Sequence, residues 1–244
     1  MNSLNRGELS GIGDDYSRAG YEKAYFAHSI KDLRKKMGQL FLVREEGSIL
    51  AAGCGTGGMF QEIIQRIRPA EIWAVDWSEE MSIKAQIEAR RLQDKSNTHF
   101  EFLQIDVTKP LFWPDNAFDA AVSNLASYYL PTGWKEHTRE LYRCIKRGRY
   151  LYLSTFLAQW DFSNTERPMK LAIREFLRSP IGILYGIRFN NIAAKIAEEI
   201  KKSGAEYPAL DELVGFLRNL GFKEIRMSTL NWGFGLALRA KKPL

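Results

Sequence analysis

The chain has 244 residues, 45% of them hydrophobic and 26% charged, with a net charge of +6 at pH 7 and two cysteines. That length buries most of the apolar surface of one α/β domain, and Cys54 and Cys144 alone build no disulfide framework. No apolar run approaches the roughly 18 residues of a membrane helix and no signal peptide opens the chain, so a cytoplasmic protein is expected. The modest positive charge permits an anionic partner without requiring one.

Residues 1–15 are polar and read as a tail, followed by a helical pattern from Tyr16 to Leu42 in which Tyr21, Tyr25, Phe26, Ile30, Leu33 and Met37 recur every three or four positions. From Ser48 the rhythm becomes strand, helix, strand. SILAAG is the first strand, Met59 to Ile67 its helix, and Glu71 to Asp76 the second strand. Ser78 is placed to cap a helix running to about Gln93. His99 to Asp106 and Ala117 to Asn124 read as strands three and four, Trp134 to Lys146 as a helix, and Arg149 to Phe156 as strand five. Between Leu157 and about Ala205 the pattern is helical and apolar, with Met169 to Arg178 and Phe189 to Lys202 as helices. A helix from Leu210 to Leu220 ends at Gly221, and two final strands flank the turn signal Asn231-Trp232-Gly233. Strands alternating with helices predict a doubly wound α/β fold with a mostly parallel sheet, closed by an antiparallel C-terminal hairpin.

The chemistry concentrates at the carboxyl ends of the first strands. ILAAGCGTGG, Ile49 to Gly58, is a strand running into a glycine turn and then a helix, which offers backbone N–H groups and a positive helix end to a ligand. Gly53-x-Gly55-x-x-Gly58 fits the dinucleotide fingerprint, a weak match by itself. Asp76 lies about 20 residues on, where a carboxylate can accept both ribose hydroxyls, and Asp106 is expected at the end of strand three. Loop and acids fall in order along one cleft.

With these motifs the chain resembles the class I S-adenosylmethionine-dependent methyltransferases. AAGCGTG (Ala51 to Gly57), AVDWSEEM (Ala74 to Met81), FLQIDVT (Phe102 to Thr108) and FDAAVSNLASYYL (Phe118 to Leu130) stand in the positions of that family's first four motifs. The resemblance implies a Rossmann-like sheet of seven strands in the order 3-2-1-4-5-7-6. It implies S-adenosylmethionine as cofactor, with Gly53, Cys54, Gly55 and Gly57 at its methionine part, Asp76 on the ribose, Trp77 and Met81 flanking the adenine, and Asp106 and Val107 at the adenine edge. Asn124, Leu125 and Tyr129 would face the reacting methyl. One departure is Lys146-Arg147-Gly148-Arg149, where the family often has Lys-Pro-Gly-Gly.

Residues 1–244 read as one methyltransferase domain, with a helical lid over 1–42 and a substrate-lid insertion over 157–204. The aromatic and aliphatic content of that insertion suits a small aromatic or lipid-like acceptor. Tyr129, His28 and Tyr21 are the candidates for acceptor contact or base. Cys54 stands open as a reactive thiol or a small tolerated residue, and no metal spacing involves His28, His99 or His137. Two other readings are carried. An RNA or protein methyltransferase would use the basic clusters at 31–36, 146–149 and 239–242, but SNLASYY lacks the Asn/Asp-Pro-Pro-Tyr/Phe string of enzymes that methylate exocyclic amines and glutamines. A nicotinamide-dependent reductase would use Tyr142 and Lys146, yet its glycine pattern is absent. Neither nucleic-acid binding nor a transmembrane segment is expected, and the oligomeric state is not specified by the sequence.

Overall fold

In the computed structural model the described residues are 27–42, 47–93, 96–126, 133–157, 207–230 and 235–244, with side chains described from residue 30 onward. They form α1 (Ala27–Leu40), β1 (Ser48–Ala52), α2 (Phe60–Arg66), β2 (Glu71–Asp76), α3 (Glu79–Gln93), β3 (His99–Gln104), β4 (Phe118–Asn124), α4 (Gly133–Cys144), β5 (Ile145–Phe156), α5 (Leu210–Asn219), β6 (Lys223–Thr229) and β7 (Gly235–Lys241). The seven strands make one sheet in the order β3-β2-β1-β4-β5-β7-β6. Pairing is parallel from β3 through β5, and β7 runs antiparallel to both β5 and β6. This is the expected Rossmann-like methyltransferase sheet.

Period-two alternation sends β1 side chains to two cores. Ile49 and Ala51 pack on one face with Leu33 and Met37 of α1 and Phe60 and Ile63 of α2. Leu50 and Ala52 pack on the other with Leu141 of α4 and Leu213 and Leu217 of α5. Leu33, Met37, Ile49, Leu50, Leu141 and Leu213 have no solvent exposure, and each such side chain contributes about 1.5–3 kcal/mol. Helix α1 therefore lies flat on the sheet. Its end is tied down where the Leu42 N–H donates to the Tyr152 hydroxyl at 3.3 Å and Arg239 Nη1 donates to the Leu40 carbonyl at 3.1 Å.

Three boundaries differ from the expected ones. Strand β3 stops at Gln104, opposite Asp76, so Asp106 stands two residues beyond the strand. Its Oδ1 accepts from the N–H and the hydroxyl of Thr108, at 3.0 and 2.5 Å, and this local turn competes with further pairing. Helix α4 ends at Cys144 rather than Lys146, and β5 begins at Ile145, opposite Phe118, rather than at Arg149. The basic tetrapeptide Lys146 to Arg149 is thus a bulge inside β5. Gly148 supplies its left-handed residue (φ 74°), and its N–H donates to the Lys242 carbonyl at 2.9 Å.

Ser78 caps α3 as expected, its hydroxyl accepting from the Met81 N–H at 3.2 Å. Among the described residues no helix is long and apolar enough to cross a membrane. The residues assigned to the 1–42 lid before Ala27, the insertion 158–204 and the turn 231–233 lie outside the described residues.

Candidate active site

The turn after β1 folds against the end of β2. The Cys54 N–H donates to the Val75 carbonyl at 2.9 Å, which pins the loop, and the Gly57 N–H returns to the Cys54 carbonyl at 3.0 Å. Gly53, Gly55 and Gly57 all have left-handed backbone, at φ 65°, 54° and 78°. At Gly57 a side chain is excluded outright, because a Cβ would come within 2.6 Å of the Phe60 ring. At Gly55 a Cβ would meet nothing within 4 Å, so this glycine borders open space rather than packing. Gly58, the third member of the dinucleotide fingerprint, has no left-handed backbone and is overlain by the Arg34 guanidinium.

Asp76 joins the loop to the next strand. Its Oδ2 accepts from the Gly55 N–H at 2.7 Å and its Oδ1 from the Ser78 N–H at 3.0 Å. Burial raises its pKa, and the N–H groups of Ser78, Gly55 and Trp77 oppose that rise. Each carboxylate oxygen keeps a lone pair beyond these bonds, the acceptor pair that two vicinal ribose hydroxyls require. An open backbone cradle beside a fixed carboxylate fits S-adenosylmethionine. Cys54 is no activated thiol. Burial, and then the Asp76 charge, push its pKa well up, so it stays protonated at neutral pH.

Trp77 precedes the capping Ser78 and Met81 lies in the first turn of α3, and Gln104 Nε2 donates to the Trp77 carbonyl at 3.0 Å. Asp106 is held by Thr108 and lies 3.6 Å from the Lys109 ammonium. Val107 is buried in the core, turning its side chain away from the cleft.

At the end of β4, Leu125 takes left-handed backbone (φ 55°), a strain of about 1–2 kcal/mol for a leucine. Its N–H donates to both the carbonyl and the hydroxyl of Ser154, at 3.1 Å each, while the Ser154 hydroxyl donates to Asn124 Oδ1 at 2.8 Å. The neighbouring strand thus fixes the Asn124 side chain and holds Leu125 in a conformation it would not choose alone. Ala126 packs directly against Gly53, joining this corner to the glycine turn. Tyr129 and Tyr21 lie outside the described residues. His28 is in α1, its side chain likewise outside them.

Two residues of this region carry no motif. Ser154 shows in the sequence only as a hydroxyl in the apolar run LYLSTF. His137, on α4, is 1% exposed and bridges two cleft segments. Its Nδ1 lies 3.3 Å from the Val107 carbonyl, and its Nε2 2.9 Å from Ser123 Oγ. The carbonyl requires Nδ1–H, leaving Nε2 to accept the Ser123 hydroxyl proton, so the ring is neutral. Burial lowers its pKa from 6.5 to about 4. Between those values the unfolded chain binds the additional proton, so stability is complete above pH 6.5 and is lost as the pH falls toward 4. We expect up to about 3 kcal/mol of loss across that window in urea titrations. His137→Leu should flatten this slope, whereas parallel profiles for the two proteins would contradict the assignment.

The reductase pair is not assembled. Tyr142 packs edge-on against Phe222 at 4.8 Å, and Lys146, at the start of β5, pairs with Asp119 at 2.9 Å. Both sit at the amino end of the parallel strands, away from the glycine turn. The basic clusters 146–149 and 239–242 are largely engaged internally as well. Arg149 reaches Asp119 at 3.4 Å, Lys241 pairs with Glu224 at 2.8 Å, and Lys242 is buried.

Residues 49–148 match the model of a family described as methyltransferase domain. Joined to the strand order and the Asp76 cradle, this match identifies a methyltransferase domain over residues 49–148, whose site fits S-adenosylmethionine as its cofactor. It is 22% identical to a demethylmenaquinone methyltransferase of Anoxybacillus flavithermus, over 95% of this chain and 92% of that one. A Geobacillus demethylmenaquinone methyltransferase is 21% identical over 83% of this chain and 80% of its own length. In fold it is similar to a Haemonchus contortus phosphoethanolamine N-methyltransferase solved with S-adenosylhomocysteine (TM-score 0.61, 12% identity, 96% of this chain and 60% of that chain). The cyclase SpnF is equally similar, at TM-score 0.61 and 15% identity over 100% of this chain and 99% of that one. The last likeness shows that this fold does not specify the reaction.

Proposed function

We propose that the chain transfers a methyl group to a small aromatic or lipid-like acceptor by in-line displacement, the acceptor being of the prenylated quinol type. The observation that carries this reading is the near end-to-end match to demethylmenaquinone methyltransferases, 95% of this chain against 92% of the relative. The internal engagement of Lys146, Arg149, Lys241 and Lys242 supports it over an RNA substrate, since those charges brace the fold.

S-adenosylmethionine supplies an electrophilic methyl on an excellent leaving group, so the protein's task is chiefly alignment. In this reading Asp76 accepts the ribose hydroxyls, and the backbone at Gly53, Cys54, Gly55 and Gly57 lies along the methionine part. Trp77, Met81, Asp106 and the backbone of Val107 border the adenine. Asn124 and Leu125, locked by Ser154, set the wall beside the methyl. A proton must leave only where the acceptor is not already ionised, and Tyr129, His28 and Tyr21 are the candidates for that role. The segment 157–204 closes over the acceptor and excludes water.

The test is transfer of labelled methyl from S-adenosylmethionine to a demethylated, short-chain prenyl naphthoquinol. Label in the quinol product supports the proposal. Label found only in RNA or protein when the chain is incubated with a cell extract would replace it.

A further inference from the structure

Of the three basic clusters, the one on α1 borders a groove. Between α1, α2 and α3 lies an open groove of about 800 Å³, bordered by Thr56 and Gly58 of the cofactor turn. Lys31, Arg34 and Lys35 form one wall, with Arg66 and Lys84 opposite. Its carboxylates are Glu62 and Glu88, and Glu88 is already paired with Arg91 at 2.6 Å. Arg34 is itself buried against Gly58 and Lys84 pairs with Glu80 at 3.3 Å, so the exposed Lys31, Lys35 and Arg66 carry the groove's positive charge.

A second observation stands on the same helix wall. Ile83 and Ile87 of α3 are 51% and 62% exposed, and Ile87 lines the groove. Lone exposed aliphatics are ordinary, but two isoleucines one turn apart, set among lysines, form an amphipathic edge. A nucleic-acid backbone offers such isoleucines nothing to pack against. A phospholipid surface offers both phosphates for the cations and an acyl boundary for the aliphatics.

We propose that this α1–α3 face docks on an anionic phospholipid bilayer, with headgroup phosphates in the basic groove and Ile83 and Ile87 at the acyl boundary. Because Thr56 and Gly58 edge the groove, a docked bilayer lies beside the cofactor cleft, where a lipid-like acceptor is needed. The inference deepens the lipid-like acceptor reading and rests on it only for its purpose.

The test is flotation of the full chain with vesicles of phosphatidylglycerol and phosphatidylcholine, against vesicles of phosphatidylcholine alone. Binding is expected to be about tenfold stronger on the anionic vesicles and to weaken with salt. Lys31→Glu with Lys35→Glu should cost about tenfold or more. Ile83→Ser with Ile87→Ser should cost about tenfold while keeping the salt dependence. Reversing the exposed Arg147 in the β5 bulge and Arg218 of α5, the helix on the other face of the sheet, should change binding less than about twofold. Three results would each overturn the proposal: no flotation of the wild-type chain, an equal loss on reversing Arg147 and Arg218, or release from vesicles by glycerol phosphate, which would assign the groove to a soluble phosphate. Turnover of a water-soluble quinol is measured on the same preparations. It should be unchanged in every variant, and its absence in the wild type would count against the proposed function and not against docking.

Discussion

Asp76→Ala is expected to lower S-adenosylhomocysteine affinity about a hundredfold or more, measured by calorimetry on protein shown to be folded. The carboxylate makes two kinds of contribution. It would accept two ribose hydroxyls, and hydrogen bonds to a charged acceptor are worth about 1.5–3 kcal/mol each. It also holds the glycine turn, through Gly55 at 2.7 Å, and the start of α3, through Ser78 at 3.0 Å. Losing both loosens the cradle as well as removing acceptors. Asp76→Asn separates them in part, since one oxygen remains while the amide can no longer accept on its second position. An intermediate affinity is expected for it. Unchanged affinity in the alanine variant would remove Asp76 from the cofactor site.

Lys242→Met is expected to cost about 3 kcal/mol of stability, read from denaturant unfolding. Lys242 is 8% exposed, and its ammonium donates to the carbonyls of Tyr142 and Ile145 at 2.8 Å and to Asn116 Oδ1 at 3.0 Å. These carbonyls end α4 and open β5, where the helix leaves acceptors without partners. Methionine fills the space but donates nothing, so buried acceptors are stranded. A loss below about 1 kcal/mol, the scale of an exposed ion pair, would show that water replaces the ammonium.

Most of the parallel sheet is legible in the sequence because each strand is short, apolar and closed by a turn residue. The glycine turn and Asp76 are legible for the same reason. The left-handed positions require glycine, and the carboxylate sits at a fixed distance along the chain. What the sequence conceals is set by partners remote in the chain. Asp106 looks like a strand terminus because FLQID alternates, yet Thr108 draws its side chain into a turn. The bulge in β5 depends on the Lys242 carbonyl, which lies almost a hundred residues away, so Lys146 to Arg149 read as a free turn. Tyr142 and Lys146 have the spacing of a reductase pair, and only the position of α4 against Phe222 shows that they face away from the cleft. His137 reads as an ordinary helical histidine until its two ring nitrogens are seen to bridge Val107 and Ser123. Likewise Ser154 gains meaning only from the left-handed backbone of Leu125 on the neighbouring strand.

The turn from Gly53 to Gly57, with Asp76, is built for a sulfonium nucleoside. Calorimetric titration of the purified chain with S-adenosylhomocysteine, alongside NADH and NADPH, tests it most directly. Saturable one-to-one binding of S-adenosylhomocysteine, displaced by S-adenosylmethionine, is expected, with no binding of either nicotinamide. A folded chain that takes up a nicotinamide and leaves S-adenosylhomocysteine unbound would contradict it.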